Sequence, residues 1–396
     1  MIVSNNITKN IISNNKYRFT VFFLVYSIPL VLIFDWLIKL DYTSFPLGIV
    51  FKGITILFNL NLFLRKETKI GKFKFGKIAL FYLFLNIIYA MFSNEVIQNL
   101  YLSIRILYWV STSISIFFLY KNNLISVSKL KYIFITTTIL GSLFTIYLMS
   151  DSVKHQNASA YLLLWCFPIL LLFKQTFLLR LVQFLGIISI VLTIKRGAII
   201  ALLISIVCYV FGSLIINNKI KNKIKTLFLG LVFLLFSFSV IFSNQDRFIE
   251  RFEDKTGSGR DIVYSNLIDT YFSSDLDNLI FGYGFKGVEN HLSTFLHGNS
   301  EESGPAAHSD LLQNMFDFGF FGIFFMLLLH LFIINLIRVN LKLRSRLFPI
   351  ILMYYSIFFL TTIYSFILNV PDAIFFGISA AIFSEETNRI KRSYHI

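Results

Sequence analysis

The stretch AIIALLISIVCYVFGSLII, residues 198–216, is an apolar run near the ~20 residues that an α-helix needs to cross a bilayer. Hydrophobic residues make up 56% of the 396-residue chain, only 14% of its residues are charged, and its mean hydropathy is +0.72. This composition is too apolar for a soluble protein of this length. The chain is therefore predicted to be an all-α polytopic membrane protein.

Further apolar runs along the chain predict about twelve transmembrane helices in total. The runs lie at 19–38, 45–64, 78–93, 100–119, 132–150, 159–173, 181–194, 198–216, 226–243, 318–337, 347–368 and 373–384. The sixth, seventh and twelfth are shorter than an ideal span, so the exact count depends on them. None of these three borders the long hydrophilic stretch between the ninth and tenth runs.

The distribution of positive charge predicts the orientation of these spans. If the N-terminus is cytoplasmic, 25 of the 36 basic residues fall in the termini and connections on the cytoplasmic side. Basic residues concentrate on that side of membrane proteins, so the stretch 244–310 is predicted to be extracytoplasmic. Topology also accounts for the net charge of +15, and no basic face on a folded module indicates a nucleic-acid partner.

The stretch 244–310 carries most of the titratable groups. Twelve of the 21 acidic residues and three of the six histidines lie in it. Because functional groups of membrane proteins often lie in such loops, we predict that the chemistry takes place there. The sequence then divides into an N-terminal bundle (1–243), an extracytoplasmic catalytic loop (244–310) and C-terminal spans with a short basic tail (311–396).

Four cations depart from the charge pattern. Lys195 and Arg196 lie between two spans on the outer side, and Lys52 and Arg105 lie a short way inside the outer ends of two others. Ionisable groups at membrane depth usually have a function. Together they suit an anionic lipid headgroup, and the planar arginine fork can hold two phosphate oxygens of a diphosphate. The alternative is contact with ordinary phospholipid phosphates, which fits Lys52 and Lys195 better.

Inside the loop, the sequence predicts a helix that begins near Arg260. Its apolar residues follow helical spacing, and Ser258 with Asp261 fits a capping pattern. A cation is disfavoured in the first turn of a helix, so Arg260 indicates either a positioned anion contact or a solvated side chain. The following GYGFKG, residues 282–287, is a turn in which the backbone can approach a ligand or simply reverse.

His308 is the candidate general base. Pro305 suits a first helical turn, which places His308 near the start of the tenth span, where the helix dipole disfavours imidazolium. A solvated histidine is the alternative interpretation. His291 and His297 are predicted to be solvated, and the three histidines are poorly spaced for zinc. No cofactor is predicted, although the twelve acids of the loop leave a metal open on the sequence alone.

Several segments in order resemble the bacterial O-antigen ligase and polymerase family. They are HQNASAYLLLWCFPILLL (155–172), TIKRGAIIALLIS (193–205), SGRDIVYSNLID (258–269), NLIFGYGF (278–285) and AAHSDLLQNMFDFGFFGIFF (306–325). The resemblance implies a GT-C-like membrane glycosyltransferase of about twelve helices, with one large extracytoplasmic loop between spans nine and ten. By position, Arg196 and Arg260 match two arginines of the family and His308 matches the loop histidine proposed as base. Lys195 stands where the family often has Ser or Thr.

The resemblance implies metal-independent, inverting transfer of a glycan from undecaprenyl diphosphate, at the outer face of the bacterial cytoplasmic membrane. His308 would deprotonate the acceptor hydroxyl, and Arg196, Arg260 and Arg105 would bind the diphosphate. Expected partners are the lipid-linked oligosaccharide and membrane lipids, with a chain-length regulator and a flippase as further candidates. We predict a polymerase of O-antigen or capsular polysaccharide. A ligase acting on lipid A core is the first alternative and a flippase the more distant one, because the charges lie at the outer edge and not at the midplane.

Overall fold

A computed structural model describes residues 11–39, 47–63, 73–150, 159–193, 195–217, 224, 227–228, 242, 260–297, 307–365, 368 and 373–394. These residues are largely helical and include no β-strand. Among the described residues, eight helices precede the hydrophilic stretch: α1 (Ile11–Lys39), α2 (Leu47–Phe63), α3 (Lys74–Met91), α4 (Val96–Lys121), α5 (Val127–Ser150), α6 (Ala160–Leu172), α7 (Phe177–Leu192) and α8 (Arg196–Ile216). The later helices are α9 (Arg260–Phe272), α10 (Leu276–Phe281), α11 (Gly287–His297), α12 (Asp310–Lys342), α13 (Phe348–Tyr364) and α14 (Ala373–Ser393).

The chain is a multi-pass membrane protein. Within the described residues, six helices are long and apolar enough to cross a membrane: α1, α3, α4, α5, α8 and α12. Helices α2, α6, α7 and α13 are apolar but shorter, and α14 fits neither group because its second half is charged. Most of the predicted ninth run, 226–243, lies outside the described residues. The count of about twelve spans and the outer location of the large loop therefore stay predictions.

The chain divides into two compact units that differ from the sequence segments proposed above. Unit 1 comprises Met1–Gly76, Leu107–Thr193 and Pro371–Ile396, and unit 2 comprises Lys77–Ile106 and Ile194–Val370. Arg105, Arg196, Arg260 and His308 all belong to unit 2. The three-part division of function along the chain stays a prediction.

Unit 1 is a helical bundle held by aromatic packing and a few polar contacts. Trp36 stacks on Phe144 with ring centroids 4.4 Å apart, and Phe73 stacks on Phe117 at 4.0 Å. Such ring pairs add roughly 0.5–1.5 kcal/mol to the free energy gained by burying their area.

A buried ion pair joins the first two helices of unit 1. The Lys52 ammonium donates to both carboxylate oxygens of Asp35, at 2.9 and 2.7 Å, and Lys52 is 5% exposed. The prediction that Lys52 reaches lipid phosphates is therefore wrong. A carboxylate one helix away satisfies the ammonium within the bundle, where an unpaired charge would be costly.

In unit 2, α8 packs against α13 through small residues. A Cβ atom at Gly212 would come within 2.9 Å of the Pro349 Cα atom, and Ala201 and Ser205 are also buried. Small side chains let membrane helices approach closely. The opposite face of α8 is exposed and apolar, as expected of a surface that faces lipid tails, with Ile200, Ile204, Val207, Phe211 and Ile215 at 41–60% exposure.

The helices of the hydrophilic stretch pack on the first turns of α12. The predicted helix near Arg260 is present as α9, but only part of its apolar stripe faces inward. Leu267 and Tyr271 are buried, whereas Ile262 and Phe272 are 56% and 69% exposed. The buried side joins a compact apolar cluster with Val288 and Leu292 of α11 and Leu312, Met315 and Phe316 of α12.

Candidate active site

His308 lies two residues before α12, whose N-cap residue is Ser309. Its φ is 52°, in the left-handed region, which costs a non-glycine residue roughly 1–2 kcal/mol. Its side chain is exposed. The helix begins at Asp310, so the predicted position of His308 just before a span is observed. Pro305, which was expected in the first helical turn, lies outside the described residues. Backbone strain of this kind persists only where the surroundings enforce it.

Two hydrogen bonds hold the backbone at His308. The Ala307 amide donates to the Gln313 Oε1 atom at 3.1 Å, and the Tyr264 hydroxyl donates to the His308 carbonyl at 3.2 Å. The first bond comes from α12 and the second from α9. His308 is therefore fixed between two helices while its imidazole remains exposed.

The residues that follow His308 are bound to the end of α13. The Ser309 hydroxyl donates to the Thr362 carbonyl at 3.1 Å and also caps the Leu312 amide. The Asp310 amide donates to the Ser365 carbonyl at 2.9 Å. The C-terminal end of α13 and the His308 segment thus lie side by side.

The packing of α8 on α13 brings Arg196 to the same end. Gly212 lies against Pro349 near the start of α13, and the Cys208 thiol contacts Ser356 further along it, so the helices run antiparallel. From Gly212 back to Arg196 is ~24 Å of helix at 1.5 Å per residue, which matches the length of α13 from Pro349 to its end. Arg196, the first residue of α8, therefore lies at the level at which the His308 segment is bound.

Arg260 reaches this end through α9. It is the first residue of that helix and lies one turn, ~6 Å, before Tyr264, whose hydroxyl contacts the carbonyls of His308 and Ile363. The side chains of Arg260 and Asp261 and the whole of Ser258 lie outside the part that the structure describes, so the capping prediction is untested. The backbone places Arg260 and His308 in one neighbourhood.

Arg105 does not join this group by any contact recorded among the described residues. It is half-buried in α4, about 9 Å along the helix from the start of its apolar span at Asn99. The convergence at the end of α13 involves Arg196, Arg260 and His308 but not Arg105. The expected role of Arg105 in binding a diphosphate therefore stays a prediction.

A buried polar network lies beside His308, and sequence reasoning missed it. The Gln313 Nε2 atom donates to Glu289 Oε2 at 3.0 Å and to Asp317 Oδ2 at 2.8 Å. Asp317 is 4% exposed, and its other oxygen accepts from the Val288 amide at 3.0 Å. Gln313 and Asp317 are four residues apart in the first turns of a largely apolar helix, and that spacing was a signal that two polar groups share one buried face.

The GYGFKG turn approaches another turn of the backbone. Gly319 has a φ of 59° and interrupts α12, and Gly282 and Gly284 also have positive φ. A Cβ at Gly282 would lie 2.5 Å from the Gly319 nitrogen, and one at Gly319 would lie 2.5 Å from the Gly282 nitrogen. The Tyr283 and Gly284 amides donate to the Phe316 and Asp317 carbonyls, whose helical partners the interruption displaces. The turn thus approaches the backbone of α12, and its approach to a ligand stays a prediction.

Residues 181–327 match a family model described as O-antigen ligase. Over this segment the chain is similar to the O-antigen ligase family. The resemblance noted in the sequence is thereby confirmed. A comparison with curated proteins gives no match. The matched segment contains Arg196, Arg260 and His308, whereas Arg105 lies outside it.

His291 is a structural residue of the matched segment. Its Nε2 atom lies 2.9 Å from Asn266 Oδ1, and its ring packs against Phe316 with centroids 5.3 Å apart. Burial lowers the pKa of His291. The prediction that His291 is solvated is therefore wrong. The His297 side chain lies outside the described residues.

The described part of the matched segment shows no ready metal site. Among the described residues of the whole chain, no group of three or more His, Cys, Asp or Glu side chains could hold a metal ion. Six loop acids lie outside those residues: Asp246, Glu250, Glu253, Asp254, Glu301 and Glu302. The expected independence from metal stays a prediction that activity in EDTA can test.

Proposed function

We propose that this protein is a membrane glycosyltransferase that polymerises lipid-linked repeat units of O-antigen or capsular polysaccharide. The observation that carries the proposal is the convergence of Arg196, Arg260 and His308 at the C-terminal end of α13. The family match supports a glycosyltransferase-like activity. A base next to cations is the arrangement that transfer from a diphosphate carrier requires.

In the proposed reaction, the acceptor hydroxyl oxygen attacks the anomeric carbon of the donor sugar. The new C–O bond forms as the bond to the diphosphate oxygen breaks, and the configuration inverts. His308 takes the hydroxyl proton, and undecaprenyl diphosphate leaves with the bonding electrons. Arg196 and Arg260, with Arg105 as a further candidate, stabilise the negative charge of the leaving diphosphate.

The proposed site faces the outside of the bacterial cytoplasmic membrane. The excess of basic residues on the other side supports this orientation. Cysteine at Ser273, exposed at the end of α9, should react with a membrane-impermeant maleimide in spheroplasts. Labelling that requires lysis would reverse the orientation and exclude an extracytoplasmic donor. Donor lipid, chain-length regulator and flippase are the proposed partners.

A ligase is the second candidate, and the description of the matched family favours it. The two reactions share a donor and differ in the acceptor, which is a lipid-linked repeat for a polymerase and lipid A core for a ligase. The same base and cations serve both. The glycans of a strain that lacks the gene distinguish them.

A polymerase acts before chains are long, so its deletion should leave single repeats on the carrier or on the core. Mass spectrometry of the extracted lipid-linked glycans measures this directly. Long chains stranded on undecaprenyl diphosphate beside a bare core would replace the polymerase with the ligase. Purified protein supplied with the extracted glycan should elongate it in EDTA, and loss of activity restored by Mg²⁺ or Mn²⁺ would turn attention to the loop acids.

A further inference from the structure

We propose that Gln313 is a positioning residue that holds His308 in its strained backbone conformation for catalysis. The inference rests on the proposed function, in which His308 is the base. Gln313 lies one turn into α12 and is 2% exposed. It acts through the amide of Ala307, the residue before His308.

The amide group of Gln313 has one orientation that satisfies its surroundings. Its oxygen faces the Ala307 N–H group, and its nitrogen faces two carboxylate oxygens, on Glu289 and Asp317. Turning the amide over would set nitrogen against N–H and oxygen against carboxylate, so three hydrogen bonds would be lost together. The two acids thus fix the position of the Gln313 oxygen that accepts from the Ala307 amide.

Backbone amides hold Asp317 in place. Asp317 accepts from the Val288 amide at 3.0 Å and from the Gly287 amide, at the first turn of α11. A carboxylate at a helix N-terminus is stabilised by unpaired N–H groups and by the helix dipole. A series of hydrogen bonds therefore links the start of α11 to the residue before His308, running from Val288 through Asp317 and Gln313 to Ala307.

This linkage explains how a costly φ value is maintained at an exposed residue. The Tyr264 and Ser309 contacts hold the His308 segment from its carbonyl side, and the Gln313 contact holds it from the side of Ala307. Without the Ala307 bond, His308 can relax toward negative φ, which rotates its side chain away from the acceptor. Misplacement of a catalytic group by ~1 Å can cost ~100-fold in rate.

Gln313→Leu tests the linkage without reference to activity. Hydrogen–deuterium exchange in peptides that contain the Ala307 amide should become about three- to tenfold faster, the loss expected for one hydrogen bond. Gln175→Leu is the matched control, because its amide binds the Leu170 and Phe173 carbonyls in unit 1. Unchanged exchange at Ala307 in Gln313→Leu would overturn the proposal.

Steady-state kinetics with lipid-linked glycan extracted from the deletion strain tests the catalytic consequence. Gln313→Leu should lower kcat by about 10- to 100-fold and leave the KM for this donor within about twofold. A rise in KM at constant kcat would overturn the positioning role. Faster exchange with wild-type kcat would do the same, while leaving the proposed function intact. A wild-type protein that transfers nothing would overturn the proposed function and, with it, the catalytic role of Gln313.

Exchanging the side chains of Gln313 and Glu289 distinguishes loss of the network from simple misfolding. Gln313→Glu keeps the acceptor for Ala307 but sets a third carboxylate against Glu289 and Asp317, so kcat should fall. Adding Glu289→Gln supplies an NH₂ donor again and should recover at least part of the lost kcat. A double variant no more active than Gln313→Glu would contradict the proposed network.

Discussion

Two regions of this molecule each hold a pair of neighbouring carboxylates, and they satisfy them by opposite means. In unit 1, Glu385 and Glu386 of α14 are 1% and 8% exposed. Arg389 contacts both acids, and Arg392 donates to Glu385 at 2.5 Å. The Tyr120 hydroxyl also donates to Glu386. Opposite charges surround these acids.

In unit 2, neutral groups hold Glu289 and Asp317. Their hydrogen bonds come from the Gln313 amide and from backbone N–H groups. The nearby cation Lys286 pairs with Glu95 at 3.6 Å. Acids bound by arginines suit a region whose role is structural. A network of neutral donors beside a strained histidine is energetically costly, so it suits a catalytic site. The comparison predicts that substitutions of the arginines that bind Glu385 and Glu386 affect stability, and that substitutions at His308 and the residues that position it affect catalysis.

His308→Gly should give the largest effect. Loss of a general base typically lowers the rate by ~10²- to 10⁴-fold. Glycine reaches a φ of 52° without the cost of a side chain, so the thermal midpoint should stay equal or rise. Transfer rates on extracted donor, paired with thermal unfolding in detergent, measure both quantities.

His291→Gln is the matched control for His308→Gly, because glutamine can still bind Asn266 and should retain most activity. Near-normal transfer by His308→Gly would exclude this residue as the base. A large fall in its thermal midpoint would instead make His308 a structural residue like Arg389.

Arg196→Lys should be nearly as damaging as Arg196→Ala, with a loss of about 100-fold in kcat. A lysine keeps the charge but cannot hold two oxygens of a diphosphate at once. The control is Arg180→Lys at an exposed position of α7, which should change neither kcat nor the KM for the donor. Full activity of Arg196→Lys with unchanged KM would remove diphosphate binding from its role.

The sequence predicted these two positions because each breaks a simple rule. Arg196 is basic on the side where cations are scarce, and His308 precedes an apolar helix. Neither prediction required tertiary contacts, and the packing of α8 on α13 later brought both residues to one end. Helix positions followed from apolar runs in the same way, since length and hydropathy are local properties.

Long-range contacts were beyond reach of the same reasoning. Lys52 looked like a residue for lipid phosphates because nothing local shows that Asp35 faces it across the bundle. In the sequence, Glu289 and Asp317 are two acids among many, and only the structure shows that Gln313 donates to both. The Gly282–Gly319 contact likewise joins residues from separate segments. A pattern along one helix reveals a buried face but not the group that meets it.

Arg389→Ala tests the structural side of the comparison. Its guanidinium binds Glu385, the Tyr120 carbonyl and Asn123, and removing it should cost roughly 3 kcal/mol, the lower end for a buried pair because it is 26% exposed. Protein that remains folded should keep its kcat and KM. Arg392→Ala, at a side chain that is 60% exposed, should cost about 1 kcal/mol or less. A fall in kcat at unchanged stability would contradict the assignment of this region to structure.

The smallest effect concerns pH and Glu289. Burial raises the pKa of Glu289 above its ordinary value, although its backbone and Gln313 hydrogen bonds and the charge of Lys286 oppose the shift. In the unfolded chain the carboxyl has a pKa of about 4.3. As pH rises from there to the folded pKa, the unfolded state loses its proton first, so the folded state binds more protons and its stability falls. The stabilisation is complete below the unfolded pKa and is lost as pH rises through the folded one.

Glu289→Gln removes this titration and keeps an oxygen that accepts from Gln313. Thermal midpoints in detergent should rise on acidification from neutral pH toward pH 5 by a larger amount in the wild-type protein than in Glu289→Gln. Other acids titrate in both proteins, so the difference between the two profiles isolates this carboxyl. At neutral pH the variant should be the more stable of the two, because it carries no buried charge. Parallel profiles would mean that Glu289 has no raised pKa and that neutral donors satisfy a carboxylate there as fully as arginines do in unit 1.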